Sequence, residues 1–151
     1  VFDAFPHLPA LRVASADSTL SPAAALATVR NVSRVRETRS RSQVELRAET
    51  CARGVAPLRV VLFSAADDED LKMRVWISRE RTMERMEFMY DAELSTLPEK
   101  ERKRMLIALE AITDIESWAR MRELHGLSFD EACTVWIRAI DRMLPPTPRA
   151  A

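Results

Sequence analysis

A chain of 151 residues, 47% apolar and 30% charged with zero net charge, has the size and balance of one globular domain. No apolar run approaches the roughly 18 residues that span a bilayer, and no signal-peptide pattern opens the chain; a cytoplasmic protein without membrane contact is expected. Cys51 and Cys133 are too few and too isolated for a disulfide framework or a zinc site, and read as reduced structural thiols.

Glycine is scarce while Ala, Leu, Met, Glu and Arg abound, which predicts an all-α fold. Residues 1–20, with Pro6 and Pro9, show no period and read as irregular. Ser21-Pro22 is a helix start, an N-cap followed by proline at the first helical position. The helix that follows is polar and arginine-rich, with a break expected near Ser40 to Ser42 before it runs to Gly54. Between Arg30 and Arg59 eight arginines face only Glu37, Glu45 and Glu49. The run from Arg30 to Arg41 reads as a solvated face with the acidic cluster Asp67 to Asp70 among its partners. The alternative is a phosphate-contacting face, but the run lacks interleaved aromatic residues. Pro57 then opens a short apolar segment to residue 66, helical or a buried strand.

From Asp68 to about Glu93 the helical period places Leu71, Val75, Trp76, Met83, Met86, Met89, Tyr90 and Leu94 on one face. Met73, Ile77 and Phe88 form a second stripe, so contacts in two directions are expected. Thr96 to Glu99 reads as a capping box. The next helix, 98 to about 125, carries Met105, Ala108, Leu109, Ile112, Ile115 and Ala119 on one side. Ile107, Ala111, Trp118 and Met121 lie on another. Gly126 closes it, and Ser128 to Glu131 form a second capping box.

The last helix has an apolar face about 160° wide, Phe129, Ala132, Cys133, Trp136, Ile137, Ala139, Ile140, Met143 and Leu144. Pro145-Pro146 ends it and begins a tail, 145–151. Glycine plus a serine cap thus predicts a tight antiparallel hairpin inside a helical domain spanning 21–144. So wide a face is more than one small core requires, or else is plain core packing in a monomer. The first reading predicts a homodimer whose last two helices make a four-helix interface, with Ile112, Ile115, Ala119, Trp136, Ile140 and Met143 in contact.

The segment from Ala108 to Pro146 resembles the C-terminal part of TetR/AcrR-type transcriptional regulators. It carries Thr113-Asp114, Glu116-Ser117-Trp118, Arg122, Gly126-Leu127-Ser128, Asp130-Glu131 and the amphipathic run Trp136 to Leu144. Met121 stands where leucine is usual. The preceding block from Ala65, with its acidic opening and the Leu97-Pro98 helix start, is similar to the same family. The resemblance covers Ala65 to Leu144. It implies a TetR-like C-terminal domain that binds an effector and dimerises through its last two helices, and that controls DNA binding by an N-terminal helix-turn-helix. No stretch of residues 1–60 reads as that motif, and the first residue is Val1, so the segment is expected to be absent from this chain.

The effector expected is a small apolar or amphipathic molecule lodged among helices 57–66, 68–93 and 98–124. Met73, Met83, Met86, Met89, Met105 and Met121 supply adaptable apolar surface, or simply core. Trp76, Tyr90 and Trp118 offer stacking faces with polar tips, and Trp118 serves equally to anchor the closing hairpin. Thr113 and Asp114 are polar contacts to a ligand or a structural tie to an arginine. The ligand set is therefore Trp76, Met83, Met86, Tyr90, Thr113, Asp114, Trp118 and Met121. His7 and His125 have no ligand-spaced neighbours, no nucleophile sits beside a base, and no glycine-rich phosphate loop occurs. No catalysis, metal or cofactor is expected. The alternative to a sensor is a helical protein-interaction module without a ligand cavity, and a small helical enzyme ranks third.

Overall fold

The structure, a computed structural model, describes residues 35–64 and 68–148. The expected irregular segment 1–20, the helix start at Ser21-Pro22 and the end of the tail lie outside the described residues. Among the described residues all regular structure is helical, as composition predicts. None of these helices is long and apolar enough to cross a membrane.

Helix α1, Arg36–Ser64, is one helix where the sequence suggests two or three. Val44, Ala48 and Cys51 fall on one face at helical spacing and are buried, which gives an otherwise charged helix its attachment to the core. The serines at 40 and 42 do not break it, because burial of Ser40 and Val44 fixes the helix there. The helix also continues through Pro57, although proline removes a backbone donor. Beyond Pro57 the helix is tied down by Arg59, which pairs with Glu116 at 3.2 Å and Glu123 at 3.0 Å.

Helix α2, Glu69–Met89, starts at Asp68, whose side chain accepts from the Leu71 amide. It buries Leu71, Met86 and Met89, but of the second stripe expected on it only Ile77 is half-buried. Met73 and Phe88 face solvent, and so does Trp76. The chain turns at Tyr90 into the short α3, Asp91–Leu94.

Helix α4, Glu99–Ile112, runs antiparallel to α2, as the cross-links Glu87–Arg102 (3.6 Å) and Arg79–Glu110 (3.9 Å) require. Its start corrects the expected capping box. The N-cap is Pro98, and Thr96 Oγ1 turns back to donate to the Glu93 carbonyl at 2.7 Å. A box opening at Thr96 would need Leu97 in helical conformation, which the following proline disfavours.

The helix expected to run on to His125 is interrupted. Helix α5, Ile115–Ala119, begins anew with Asp114 as N-cap, its carboxylate accepting from the Ser117 amide at 2.6 Å. It passes into a π-helical turn, Arg120–Leu124, closed by His125 N–H to the Arg120 carbonyl. Gly126, with φ of +65°, then reverses the chain. Helix α6, Phe129–Met143, opens with the predicted reciprocal box between Ser128 and Glu131. The core joins α1, α2, α4, α5 and α6, with each fully buried large side chain stabilising by about 1.5–3 kcal/mol.

Candidate functional site

The closing hairpin is held by an aromatic group. Trp118 meets Phe129 edge-on at 5.3 Å and Trp136 at 5.2 Å, and the Arg122 guanidinium lies 6.0 Å from its ring. Trp136 Nε1 donates to Ser117 Oγ at 3.4 Å. The anchoring role open to Trp118 is the one the geometry supplies.

The interface residues expected on this hairpin are placed differently from the sequence reading. Trp136 and Ile140 are each 2% exposed, and Ile115 and Ala119 are buried as well, all within a single chain. Only Ile112 and Met143 remain half-buried. The centre of the apolar face of the last helix is thus covered within one subunit, while Phe129, Ile137, Ala139 and Met143 on it are half-buried. Helix α1 lies against α5 and α6 and covers that face. The outward side of α6 carries Thr134, Val135, Arg138 and Arg142 and is mostly polar.

The eight residues expected to line a ligand site divide into three groups. Met86, Tyr90 and Thr113 converge on one interior void of about 10 Å³, together with Gln43, Val44, Arg47, Leu109 and Ile140. Trp118 and Met121 belong to the hairpin core, and Asp114 is committed to capping α5. Trp76, 57% exposed, points to solvent, and Met83 is half-buried on the same helix. Thr113 is itself held by the chain, its hydroxyl donating to the Leu109 carbonyl at 2.8 Å and its carbonyl accepting from Arg47 Nε at 3.0 Å.

The wall contributed by α1 was not legible as such in the arginine-rich run. That run is not a plain solvated face. Arg39 is buried and donates to Glu93 Oε1 at 2.5 Å. Arg36 reaches the end of α6 and the tail, binding the Asp141 carboxylate at 2.9 Å and the Pro145 carbonyl at 2.7 Å. Thr147 Oγ1 donates to the same Glu93 oxygen at 2.5 Å. Among the described arginines from Arg36 to Arg41, only Arg41, paired loosely with Glu37 at 3.7 Å, behaves as expected of a surface arginine. The partners of Arg36 and Arg39 thus lie on α3, α6 and the tail. The signal that points to its buried face is the i, i+4, i+7 spacing of Val44, Ala48 and Cys51.

Both cysteines are unpaired and buried. Burial pushes the Cys51 thiol up, against the Arg47 charge, and raises Cys133 to about 11 with help from Glu45 and Asp130. Among the described residues no cluster of metal-ligating side chains occurs. No family model matches the chain, nor does any curated protein or solved structure.

Proposed function

We propose that this chain is the effector-binding domain of a TetR-like transcriptional regulator, in which a small apolar or amphipathic molecule enters between α1, α2 and α4. The observation that carries this reading is the convergence of Met86, Tyr90 and Thr113 with Gln43 and Arg47 on a single interior void where four helices meet. Such a site combines an adaptable thioether with an aromatic wall, and the surface it presents is apolar. At about 10 Å³ the void holds no ligand as it stands, since ligand pockets span roughly 300–1,000 Å³. Binding therefore requires α2 to move away from α1. That helix is the loosely attached element, because its first half leaves Met73 and Trp76 exposed and buries only Leu71 fully.

The ligand would favour the opened arrangement and thereby bias a helix-turn-helix carried outside this domain. Moving such a balance from 1:99 to 99:1 needs roughly 5.5 kcal/mol of differential affinity. The homodimer implied by the family resemblance belongs to the same proposal, but its contacts must lie outside Ile115, Ala119, Trp136 and Ile140.

Titration with hydrophobic compounds, followed by fluorescence of the three tryptophans, tests the reading. One saturable site per chain is expected, with affinity reduced by Met86→Ala. Light scattering should give twice the chain mass. A monomer without any saturable site would instead favour a helical protein-interaction module, a second reading supported by Met73 and Trp76 standing 56% and 57% exposed on α2.

A further inference from the structure

Tyr90 takes part in two environments. Its side chain walls the interior void, while its hydroxyl belongs to a polar cluster with Ser40 and Glu93. All three residues are buried, Glu93 completely. Among the described residues Ser40 Oγ, Tyr90 Oη and Glu93 Oε2 have no hydrogen-bond partner. The other Glu93 oxygen is already occupied, accepting from both Arg39 and Thr147. Burial pushes the Tyr90 phenol up, and the neighbouring Ser40 hydroxyl and Arg39 charge only temper this, so it stays protonated at neutral pH.

Buried polar groups are almost always satisfied, so three unmet atoms around Tyr90 point to a partner beyond the described residues. Their chemistry specifies it. Two hydroxyls have protons to donate, and one carboxylate oxygen can only accept. A carbonyl would leave the carboxylate unmet, and a second carboxylate would oppose it. An ammonium would strand both hydroxyl protons and lie beside the Arg39 and Arg36 charges. A hydroxyl group donates once and accepts twice, which matches all three.

We infer that Ser40, Tyr90 and Glu93 form a hydroxyl-binding site, filled by a solvent water in the free protein and by the hydroxyl of an apolar effector in the bound one. The second half of this inference rests on the sensor reading above.

Equilibrium dialysis with 1-naphthol and with 1-methylnaphthalene, near-isosteres differing in one hydroxyl, tests the effector half. The wild-type chain should prefer 1-naphthol by about tenfold, the ratio expected of one good hydrogen bond. Tyr90→Phe and Ser40→Ala should lose the preference yet still take up 1-methylnaphthalene. Thermal unfolding without ligand tests the water half, with Tyr90→Phe lowering Tm by roughly 2–4 °C. Equal uptake of the two compounds by the wild type overturns the effector half alone. Uptake of neither removes the sensor reading and the effector half with it. An unchanged or raised Tm in Tyr90→Phe overturns the water half.

Discussion

The guanidinium of Arg39 and the carboxylate of Glu93 meet at 2.5 Å inside the protein, 54 residues apart in sequence and both withdrawn from solvent. Removing one partner leaves an uncompensated buried charge, a larger loss than removing both. Arg39→Met should therefore destabilise by about 3–5 kcal/mol in urea unfolding. The double variant Arg39→Met, Glu93→Leu should recover much of that loss. Equal stability of the single and double variants would show that the pair does not act as a unit.

The hairpin reversal depends on one backbone conformation. At Gly126, φ is +65° and an added Cβ would meet nothing within 4 Å. Gly126→Ala should cost about 1 kcal/mol, purely from the left-handed conformation. Gly126→Asn should cost less, since asparagine tolerates that region better. A neutral alanine substitution would mean that the turn relaxes to negative φ.

The cap of α6 makes a pH-dependent contribution. Hydrogen bonds from Ser128 hold the Glu131 carboxyl below its ordinary value of 4.5. A carboxyl depressed in the folded state stabilises above its unfolded value, and the effect fades as pH falls through the folded one. Glu131→Gln should be less stable than wild type at neutral pH, and the gap should close under acid. Ser128→Ala should cost about 1 kcal/mol at neutral pH. A gap between Glu131→Gln and wild type that is constant with pH would contradict the assignment.

Trp118 anchors the hairpin through Phe129 and Trp136, so Trp118→Ala should cost about 3–5 kcal/mol. Trp118→Phe, which keeps an aromatic face, should cost clearly less. Calorimetry distinguishes the two, and similar losses would mean that ring contacts are not what holds the hairpin.

Both thiols should resist labelling in the folded protein. With Cys133 raised to about 11, only on the order of one thiol in a thousand is thiolate at pH 8. A thiol-reactive dye should modify Cys51 and Cys133 at a rate set by unfolding. Immediate labelling of either would show that its helix opens locally.

What could be read from the sequence follows from how far each interaction reaches. Gly126, Ser128 and Glu131 act within a few residues of one another, and their turn and cap are formed as predicted. The Thr96 box uses the same local logic and fails, because Pro98 fixes where α4 can begin. Arg36 and Arg39 read as surface charge because their partners, Asp141 and Glu93, lie 105 and 54 positions away. The width of the α6 apolar face was legible too. What covers it was not, since a charged helix such as α1 shows its few buried residues only once their spacing is weighed above its composition. The same distance hides most of the void: Met86, Tyr90 and Thr113 stand out by residue type, whereas Gln43 and Arg47 join them only through the fold.

Arg36 and Arg39 fasten three remote stretches at a single knot: the head of α1, the Glu93 turn and the residues after α6. A tug on the chain just ahead of α1 would thus be felt at once by the opposite end of the polypeptide, without passing through the intervening helices. Clipping the molecule after Leu144 would remove the Pro145 and Thr147 strands of this knot, leaving the core intact and the head of α1 held by Asp141 and Glu93 alone.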